Sequence, residues 1–444
     1  MPALEHAQTL LRLGRNRRNE PDALRQFQLR KLRVLVAHCR RRVAIYREHW
    51  RGTGLATDAI AAPEDIAFLP TIGKNEFKSR PLTDALTDRA VPGRLVRHTT
   101  SGSSGQPFTI YRSALEEDLL NLFRLRAYSG AGLRLSDRIA RFSQLPTDET
   151  PRRWPGQVRR ALGVHRDLSL DGMAPAETMI ERLLRWQPDV VAGYPSTLRR
   201  IAAEMRQRAI ALPAVHLVLC GGEVLGASAR RAIEAAFAAP VAEFYGAHEF
   251  NLLAAQCPRG FGYHVCDDNV LVEVVDGDGR AVAVGETGEV VATALHCYTM
   301  PFVRYRTGDL AIRGPAACEC GAPFSTLRAL EGRAADYLRL SDGRRVHPYA
   351  ITGTLADRES DWVRQHQLVQ IRPDCVVLRI ESELSRRPRP EELERVCSVG
   401  AGVLGSGARF EVEIVERFTA PASGKFQPYV SLIGDSERVS ADAR

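Results

Sequence analysis

The sequence has no uninterrupted apolar run of 18 residues, so it offers no candidate for a membrane-spanning helix. The longest apolar stretch, residues 209–225, is interrupted by Pro213, His216, Gly221 and Glu223. No apolar segment precedes a small-residue cleavage site near Met1, and we therefore expect a cytoplasmic protein without a secretory signal. Nine cysteines, an odd number scattered along the chain, fit a reducing compartment better than a disulfide framework.

Lysine is scarce, since only four of the 61 basic residues are lysines and the other 57 are arginines. The arginines are spread over the whole chain without a basic patch of interleaved aromatic residues, so we expect no nucleic-acid partner. The net charge of +8 is a mild indication of anionic ligands. With 44% hydrophobic and 26% charged residues, the composition excludes a disordered or collagen-like chain, and 444 residues leave room for two or three domains.

Three common catalytic loops are also missing. The chain has no G-x-x-x-x-G-K-[ST], no G-x-S-x-G, and no G-x-G-x-x-G that follows a predicted strand. These absences argue against a P-loop nucleotidase, a hydrolase with a nucleophile elbow and a dinucleotide-binding domain.

The hydrophobic pattern predicts an α/β protein in two parts. Residues 1–50 form a helical arm, and Ser113 with Glu116 makes a capping-box pattern that opens a helix over 113–130. Strand-like runs alternate with helical patterns through the middle of the chain, which is typical of a mostly parallel sheet, and the pattern becomes β-rich after residue 270. We expect a large domain over 1–331 and a small α+β domain over 332–444. Further predicted elements are strands at 91–97, 108–111, 190–193, 217–220, 270–275, 375–380 and 409–415, and helices at 196–208, 228–238 and 389–397.

The most specific local feature is a loop of glycines and hydroxyl residues between two predicted strands. Glycines let the backbone fold tightly and turn its N–H groups inward, and hydroxyl groups add further donors, so the loop predicts a phosphate pocket. The alternative is a flexible Ser/Gly linker, against which the flanking strands and the terminal proline argue. The loop consists of Thr99, Thr100, Ser101, Gly102, Ser103, Ser104, Gly105, Gln106 and Pro107.

This loop and five later segments resemble, in the same order, the adenylate-forming superfamily of acyl-CoA synthetases. The loop has the form [ST]-[ST]-G-[ST]-[ST]-G-x-P. The other segments are 219–224 (LCGGEV), 244–249 (FYGAHE), 304–309 (RYRTGD), 332–336 (GRAAD) and 423–425 (SGK). The short length, the segment 69–74 (LPTIGK) and the turn 193–196 (GYPS) resemble the phenylacetate–CoA ligase and capsule-synthesis-like branch.

The resemblance implies an adenylate-forming fold, with mixed α/β sheets and a β-rich subdomain in the large domain and a mobile small domain, and a site for ATP and Mg²⁺. Residues 99–105 would hold the β- and γ-phosphates, Glu249 would hold Mg²⁺, and Asp309 would bind the ribose hydroxyl groups. Arg333 would contact the ribose or phosphates, and Lys425 the α-phosphate and the attacking carboxylate. The resemblance also assigns to the nucleotide site Gly221, Gly222, Glu223, Tyr245, Gly246 and His248.

Two positions depart from the family pattern. His248 stands where the Tyr-Gly-x-[ST]-Glu motif has a hydroxyl residue, so a histidine replaces the usual hydroxyl contact. Ala335 stands at the hinge position that is usually Asp or Lys, and Asp336 follows it. Because family members rotate the small domain about this hinge, Ala335 weakens the expectation that CoA is the acceptor.

A second candidate site combines Cys257 and His264 with Cys318 and Cys320. Both pairs lie just beyond motifs that must meet at the nucleotide site, and three thiolates with one imidazole would form a closed tetrahedral zinc site. Some members of the branch carry a similar set. Cys266 is a substitute ligand, and ordinary buried thiols are the alternative.

The resemblance implies an ATP-dependent carboxylate–CoA ligase that forms an acyl-AMP from an aromatic or other small carboxylic acid. A second hypothesis keeps the adenylation but passes the acyl group to an amine, hydroxyl or carrier-protein thiol, or transfers AMP itself. A third is a non-catalytic nucleotide-binding protein of the same fold. The sequence does not identify the acid, although Tyr194, Phe244 and His248 are candidates for its pocket, and the helical arm is a candidate homodimer interface.

Overall fold

The computed structural model describes residues 21–53, 60–100, 108–143, 166–333, 338–346, 348, 350–352, 362–382, 386–418 and 429–433. Within these ranges no helix has both the length and the apolar character needed to cross a membrane. All nine cysteines lie in these ranges, and each is a free thiol.

The described helices are numbered here in chain order. They are α1 Pro21–Arg42, α2 Ala44–His49, α3 Lys74–Lys78, α4 Leu82–Ala85, α5 Ala114–Gly130, α6 Ala176–Trp186, α7 Pro195–Gln207, α8 Ala227–Phe237 and α9 Pro390–Leu404, with 3₁₀ turns at Pro63–Phe68, Pro92–Arg94 and Gly405–Gly407.

The described strands begin with a hairpin, continue with eleven strands of one sheet and end in the small domain. They are β1 Val96–Thr100, β2 Phe108–Arg112, β3 Arg138–Ser143, β4 Arg166–Asp171, β5 Val190–Gly193, β6 Leu217–Gly221, β7 Val241–Tyr245, β8 Ala254–Gln256, β9 Tyr263–Val265, β10 Val270–Val275, β11 Thr287–Ala294, β12 Tyr305–Arg313, β13 Thr326–Arg333, β14 Leu338–Arg339, β15 Arg345–Val346, β16 Val363–Arg372, β17 Cys375–Ser382, β18 Arg409–Val415 and β19 Tyr429–Ser431.

The eleven-stranded sheet has the order β10-β11-β12-β13-β9-β8-β7-β6-β5-β3-β4. Its half from β4 to β7 is parallel, as the alternation of strands and helices predicts. The remaining strands pair antiparallel, and most of them lie in the part of the chain after residue 270 that the sequence predicts to be β-rich. Alternate residues of β5 and β6 face two different cores. Val191 and Val218 pack with helices α6, α7 and α8, and Val190 and Leu217 pack in the core that also holds α1.

Residues 338–433 form their own sheet and core. The sheet has the order β18-β17-β16-β19, and the pair β16–β17 is antiparallel. Trp362 lies fully buried in this core, among the aliphatic residues of β16, β17 and α9. This part of the chain therefore has a hydrophobic core that does not include the eleven-stranded sheet.

Two sequence predictions need correction. Residues 92–94, expected in a strand, form a 3₁₀ turn, because Pro92 fixes φ and suits the first position of a turn, so the strand begins only at Val96. The helix predicted to end at residue 397 continues to Leu404. The helix continues through Gly400, where it lies close to β18. A Cβ at this position would lie 2.2 Å from the Phe410 ring, so the close contact between α9 and β18 requires glycine.

Candidate active site

The predicted nucleotide segments follow the carboxyl ends of neighbouring parallel strands. Residues 221–223 end β6 and lead away from it, and Tyr245–Glu249 does the same at β7, which is hydrogen-bonded to β6. Carboxyl ends of parallel strands meet at one edge of a sheet, and ligands of open α/β sheets bind at that edge. The fold therefore brings these two segments together at a place suited to a ligand.

Two glycines allow close backbone contacts at this edge, one between the two segments and one within the segment after β7. A Cβ at Gly221 would lie 2.7 Å from the main-chain oxygen of Phe244, and a Cβ at Gly246 would lie 2.3 Å from that of Asn251. Real Cβ atoms do not come so close to backbone, so no larger residue fits either position. Gly222, with φ of 81°, adds a left-handed turn directly after β6.

Asp309 reaches the same place from the antiparallel half of the sheet. The hydroxyl of Tyr245 donates to its Oδ2 at 2.8 Å, and the Asp309 backbone N–H donates to the hydroxyl of Thr307 at 3.1 Å. Gly308, with φ of 75°, supplies the left-handed residue just before it. The two motifs that contain Tyr245 and Asp309 are thus joined directly, 64 residues apart in sequence.

Glu249 is a buried carboxylate, only 8% exposed, and accepts a hydrogen bond from the hydroxyl of Tyr305 at 3.0 Å. Burial and the negative charge of Asp309 raise the pKa of its carboxyl group. The hydrogen bond from Tyr305 and the positive charge of Lys74 lower it, but the net shift is upward. A bound cation would reduce the free-energy cost of keeping this buried carboxylate ionised, and Mg²⁺ prefers carboxylate oxygen. The donor chemistry of Glu249 therefore fits the magnesium ligand that the sequence predicts.

Tyr305 and Lys74 were not identified as site residues from the sequence. Burial and the adjacent carboxylate of Glu249 raise the pKa of Tyr305 well above its ordinary value, so the phenol keeps its proton and donates. Lys74 opens α3, and its ammonium lies 5.8 Å from the centre of the Phe108 ring. Two signals could have singled it out: the scarcity of lysine and its place at the end of the segment 69–74.

Two predicted nucleotide residues have structural partners. The carboxylate of Glu223 accepts hydrogen bonds of 3.0 Å from the backbone N–H and from the hydroxyl of Ser196, at the N-terminus of α7. The His248 carbonyl accepts a hydrogen bond from the Arg112 guanidinium. The centre of the His248 imidazole ring lies 6.3 Å from that of the His98 ring.

Several predicted site residues lie outside the described part of the chain. They are Ser101 to Gly105, Lys425, and the hinge residues Ala335 and Asp336. Strands β1 and β2, which flank the loop, pair antiparallel, with Thr100 opposite Phe108. The hydroxyl of Thr99 lies 3.4 Å from that of Thr109, and the backbone of Arg333 pairs with Asp309 across β12 and β13. The side chains of Thr100 and Arg333 are outside the described residues.

The predicted zinc ligands come together. One ligand atom from each of Cys257, His264, Cys318 and Cys320 lies within 4.8 Å of all the others. The sulfur atoms of Cys257 and Cys318 are 3.8 Å apart, and the sulfur of Cys320 is 3.2 Å from His264 Nε2. Two thiolates bound tetrahedrally at the usual Zn–S length would be about 3.8 Å apart, so the set fits zinc. Cys266 is not in this group, because it is buried beside Arg126 and Asp268.

Comparisons with known proteins agree with the motifs. The family model described as AMP-binding enzyme matches residues 168–296. A phenylacetate-coenzyme A ligase of Pseudomonas putida is 27% identical over 332 residues, which cover 71% of this chain and 72% of that one.

Solved structures of 2-hydroxyisobutyryl-CoA ligase share the fold. In the postadenylation state with 2-HIB-AMP, that enzyme is 20% identical, with a TM-score of 0.75 over 94% of this chain and 92% of that one. In the thioesterification state with 2-HIB-AMP and CoA, the TM-score is 0.64 over 97% and 94%. Together with the ordered motifs and their meeting at one edge of the sheet, these similarities agree with the resemblance to the adenylate-forming superfamily of AMP-binding enzymes and to its phenylacetate–CoA ligase branch.

Proposed function

We propose that the protein is an ATP-dependent carboxylic acid–CoA ligase that works through an acyl-AMP. The observation that carries this proposal is the meeting of Glu249, Tyr305, Tyr245 and Asp309, from two motifs of the superfamily, at the carboxyl ends of the parallel strands. The relatives named phenylacetate-coenzyme A ligase support the same activity. A small carboxylic acid is the proposed substrate.

The chemistry has two steps. An oxygen of the carboxylate attacks the α-phosphorus of ATP, the bond to the β-phosphate oxygen breaks, and pyrophosphate leaves. The thiol of CoA, as thiolate, then attacks the acyl carbon, the bond to the bridging oxygen breaks, and AMP leaves. Neither step needs a protein nucleophile, so the protein contributes by positioning and by neutralising charge.

Each proposed role matches the chemistry of its residue. The oxygens of Asp309 accept hydrogen bonds, as binding the ribose hydroxyl groups requires, and Tyr245 holds one of them in place. Glu249 holds Mg²⁺, which when bound neutralises phosphate charge. The loop 99–105 holds the β- and γ-phosphates, residues 221–223 with Gly246 and His248 line the nucleotide, and Arg333 and Lys425 bring positive charge to the phosphates and the attacking carboxylate.

We also propose that Cys257, His264, Cys318 and Cys320 hold a structural zinc ion. All four ligand positions are filled by protein, which leaves no open position for catalysis. Protein purified without a chelator should contain about one zinc per chain, and Cys318→Ser should lower both the zinc content and the melting temperature. Metal analysis that finds no zinc in the wild type would overturn this part of the proposal.

The proposed small domain covers residues 332–444 and changes orientation between the two steps. Charged residues meet where it contacts the large domain, around a cavity of about 300 Å³ lined by Glu177, Glu204, Gln207, Arg208, Arg364, Glu381, Glu416 and Arg417. The higher TM-score against the postadenylation state than against the thioesterification state supports a domain arrangement like the former. Free cysteines support a cytoplasmic location, and the helical arm is the proposed surface for a homodimer.

A panel of carboxylic acids with ATP and Mg²⁺ tests the activity. We expect pyrophosphate release that requires one class of acid, followed by AMP release that requires CoA. AMP release with an amine and not with CoA would replace CoA as the acceptor, which is the outcome that Ala335 at the hinge favours. Nucleotide binding without pyrophosphate release for any acid would show a non-catalytic nucleotide-binding protein.

A further inference from the structure

A largely buried carboxylate on α5 connects the two elements that carry the proposed phosphate and magnesium ligands. Glu117 lies in the first turn of α5, and its side chain is 14% exposed. Its Oε2 accepts hydrogen bonds from His98 Nε2 at 2.9 Å and from Arg112 Nη1 at 3.0 Å. No sequence motif marks this residue, and the mechanism above does not use it.

Each partner of Glu117 leads to the site. His98 lies in β1 directly before Thr99, the first residue of the proposed phosphate loop. Arg112 ends β2, on the other side of that loop, and its second terminal nitrogen donates to the carbonyl of His248, the residue before Glu249. The Glu117 carboxylate is therefore connected, through Arg112 and two successive hydrogen bonds, to the backbone of His248, which directly precedes the proposed magnesium ligand.

The same face of α5 holds the other side of the Glu249 loop. Asn121, four residues after Glu117, donates to Glu117 Oε1 at 3.3 Å. Its own Oδ1 accepts from Asn251 Nδ2 at 3.2 Å. Asn251 adopts a left-handed φ of 65°, a conformation that asparagine tolerates better than most residues. Glu249 is thus fixed from His248 on one side and from Asn251 on the other.

The cost of burying the ion pair between Arg112 and Glu117 argues that this pair does more than stabilise the fold. The Arg112 side chain is 3% exposed, so both charges have lost much of their hydration. A buried ion pair is seldom more stabilising than apolar residues of the same volume. Burial raises the pKa of Glu117, but the hydrogen bonds and charges of His98 and Arg112 outweigh it and lower the pKa to about 2. The carboxylate is therefore ionised over the whole physiological pH range.

We propose that Glu117 is a positioning residue that sets the placement of the Glu249 carboxylate relative to the phosphate loop. It contacts neither nucleotide nor metal; it acts through His98 on the strand before the loop, and through Arg112 and Asn121 on the two sides of Glu249. This inference rests on the proposed function, since it assigns the loop to phosphate and Glu249 to Mg²⁺.

The test compares Glu117→Gln with Asp137→Asn, which neutralises a matched pair elsewhere in the same domain. Asp137 Oδ2 accepts from His216 Nε2 at 3.1 Å, with side-chain exposures of 4% and 27%, against 14% and 29% for Glu117 and His98. Kinetics of pyrophosphate release, binding of a fluorescent ATP analogue with Mg²⁺, and melting temperature are measured for both variants.

We expect Glu117→Gln to raise the KM for ATP and the half-saturating Mg²⁺ concentration, and to lower kcat/KM for ATP by roughly 10–100-fold, because misplacement of the order of 1 Å has such effects. Asp137→Asn should lower the melting temperature and leave these constants unchanged. If Glu117→Gln changes only the melting temperature, or if the two variants lose activity in proportion to their unfolded fractions, the inference is wrong.

Two further results keep the inference separate from the proposed function. If the wild type binds the ATP analogue but releases no pyrophosphate with any acid, the proposed function fails, and the affinity of Glu117→Gln for the analogue still decides the inference. If Glu117→Gln does not fold, Asn121→Ala removes the contact with Asn251 and keeps the ion pair. It should raise the half-saturating Mg²⁺ concentration, and an unchanged value would overturn the inference.

Discussion

Two carboxylate–imidazole pairs in the large domain have nearly the same local geometry and lie in different surroundings. Glu117 and His98 are 2.9 Å apart, and Asp137 and His216 are 3.1 Å apart. The second pair lies at the amino ends of parallel strands, because Asp137 directly precedes β3 and His216 directly precedes β6. The first pair lies beside the segments that follow β1 and β7.

The difference lies in what each pair is connected to. Asp137 also accepts from the backbone N–H of Arg134 at 2.7 Å, so it connects the turn before β3 to the start of β6, two strands away in the sheet. Glu117 is connected through Arg112 and Asn121 to both sides of Glu249. The same chemistry therefore stabilises the fold at one end of the sheet and positions the proposed site near the other, and the contacts of a pair are more informative than its residue types.

The largest effect is expected for the residue that brings positive charge to the reacting groups. Lys425→Ala should lower the rate of acyl-AMP formation by about 100–1,000-fold, because the charge that develops at the α-phosphate loses a partner. Acid-dependent exchange of pyrophosphate into ATP measures this step. The control is Lys31→Ala, which removes an ammonium 5.9 Å from the Phe27 ring and should leave the rate unchanged. A rate for Lys425→Ala equal to that of the wild type would remove the residue from the mechanism.

Glu249→Gln should have the next largest effect. The amide keeps the shape of the side chain and its contact with Tyr305 but weakens Mg²⁺ binding, so we expect a loss of kcat/KM of the order of 100-fold. A titration of pyrophosphate release with Mg²⁺ should show that part of the loss is recovered at high Mg²⁺. An unchanged half-saturating concentration would contradict the assignment of Glu249 to the metal.

A moderate effect, on stability alone, is expected at the amino ends of the strands. Asp137→Asn leaves the His216 ring and the Arg134 N–H with a weaker acceptor, and should lower the free energy of unfolding by about 1–3 kcal/mol. Chemical denaturation measures this loss. A change in the KM for ATP of this variant at temperatures where it is folded would erase the distinction between the two pairs.

The smallest effect concerns pH. The carboxyl group of Glu117 has a folded pKa of about 2, below the value of about 4.3 in an unfolded chain. Its contribution to stability is therefore complete above the unfolded value and is lost as the pH falls toward the folded value. The difference in unfolding free energy between wild type and Glu117→Gln should shrink between pH 6 and pH 3. A difference that grows on acidification would contradict the direction of this pKa shift.

The local elements and the ordered motifs could be predicted from the sequence because each depends on residues close together in the chain. Ser113 begins α5 with the expected capping box, and its Oγ accepts from the backbone N–H of Glu116 at 3.3 Å. The four residues of the Cys/His group, by contrast, are distant in sequence, and they were named because both pairs lie just beyond motifs that must meet. The full length of α9 was not predicted, because the packing of Gly400 against Phe410 of β18 is not visible in the sequence.

The connections between motifs could not be predicted. The contact of Tyr305 with Glu249 joins residues 56 apart, and that of Arg112 with His248 joins residues 136 apart. Glu117 looked like an ordinary acid in the first turn of a helix, where acids favour the helix dipole. Only the fold shows that this face of α5 points toward the Glu249 loop.

The central claim, that a carboxylate oxygen attacks the α-phosphorus of ATP, is tested most directly by following that oxygen. The protein is incubated with ATP, Mg²⁺, CoA and an accepted acid whose two carboxylate oxygens are ¹⁸O, and the AMP is analysed by mass spectrometry. The mechanism predicts one ¹⁸O in each AMP, because the bridging oxygen stays with phosphorus when the thiolate takes the acyl group. Unlabelled AMP, or label in released orthophosphate alongside ADP, would contradict it.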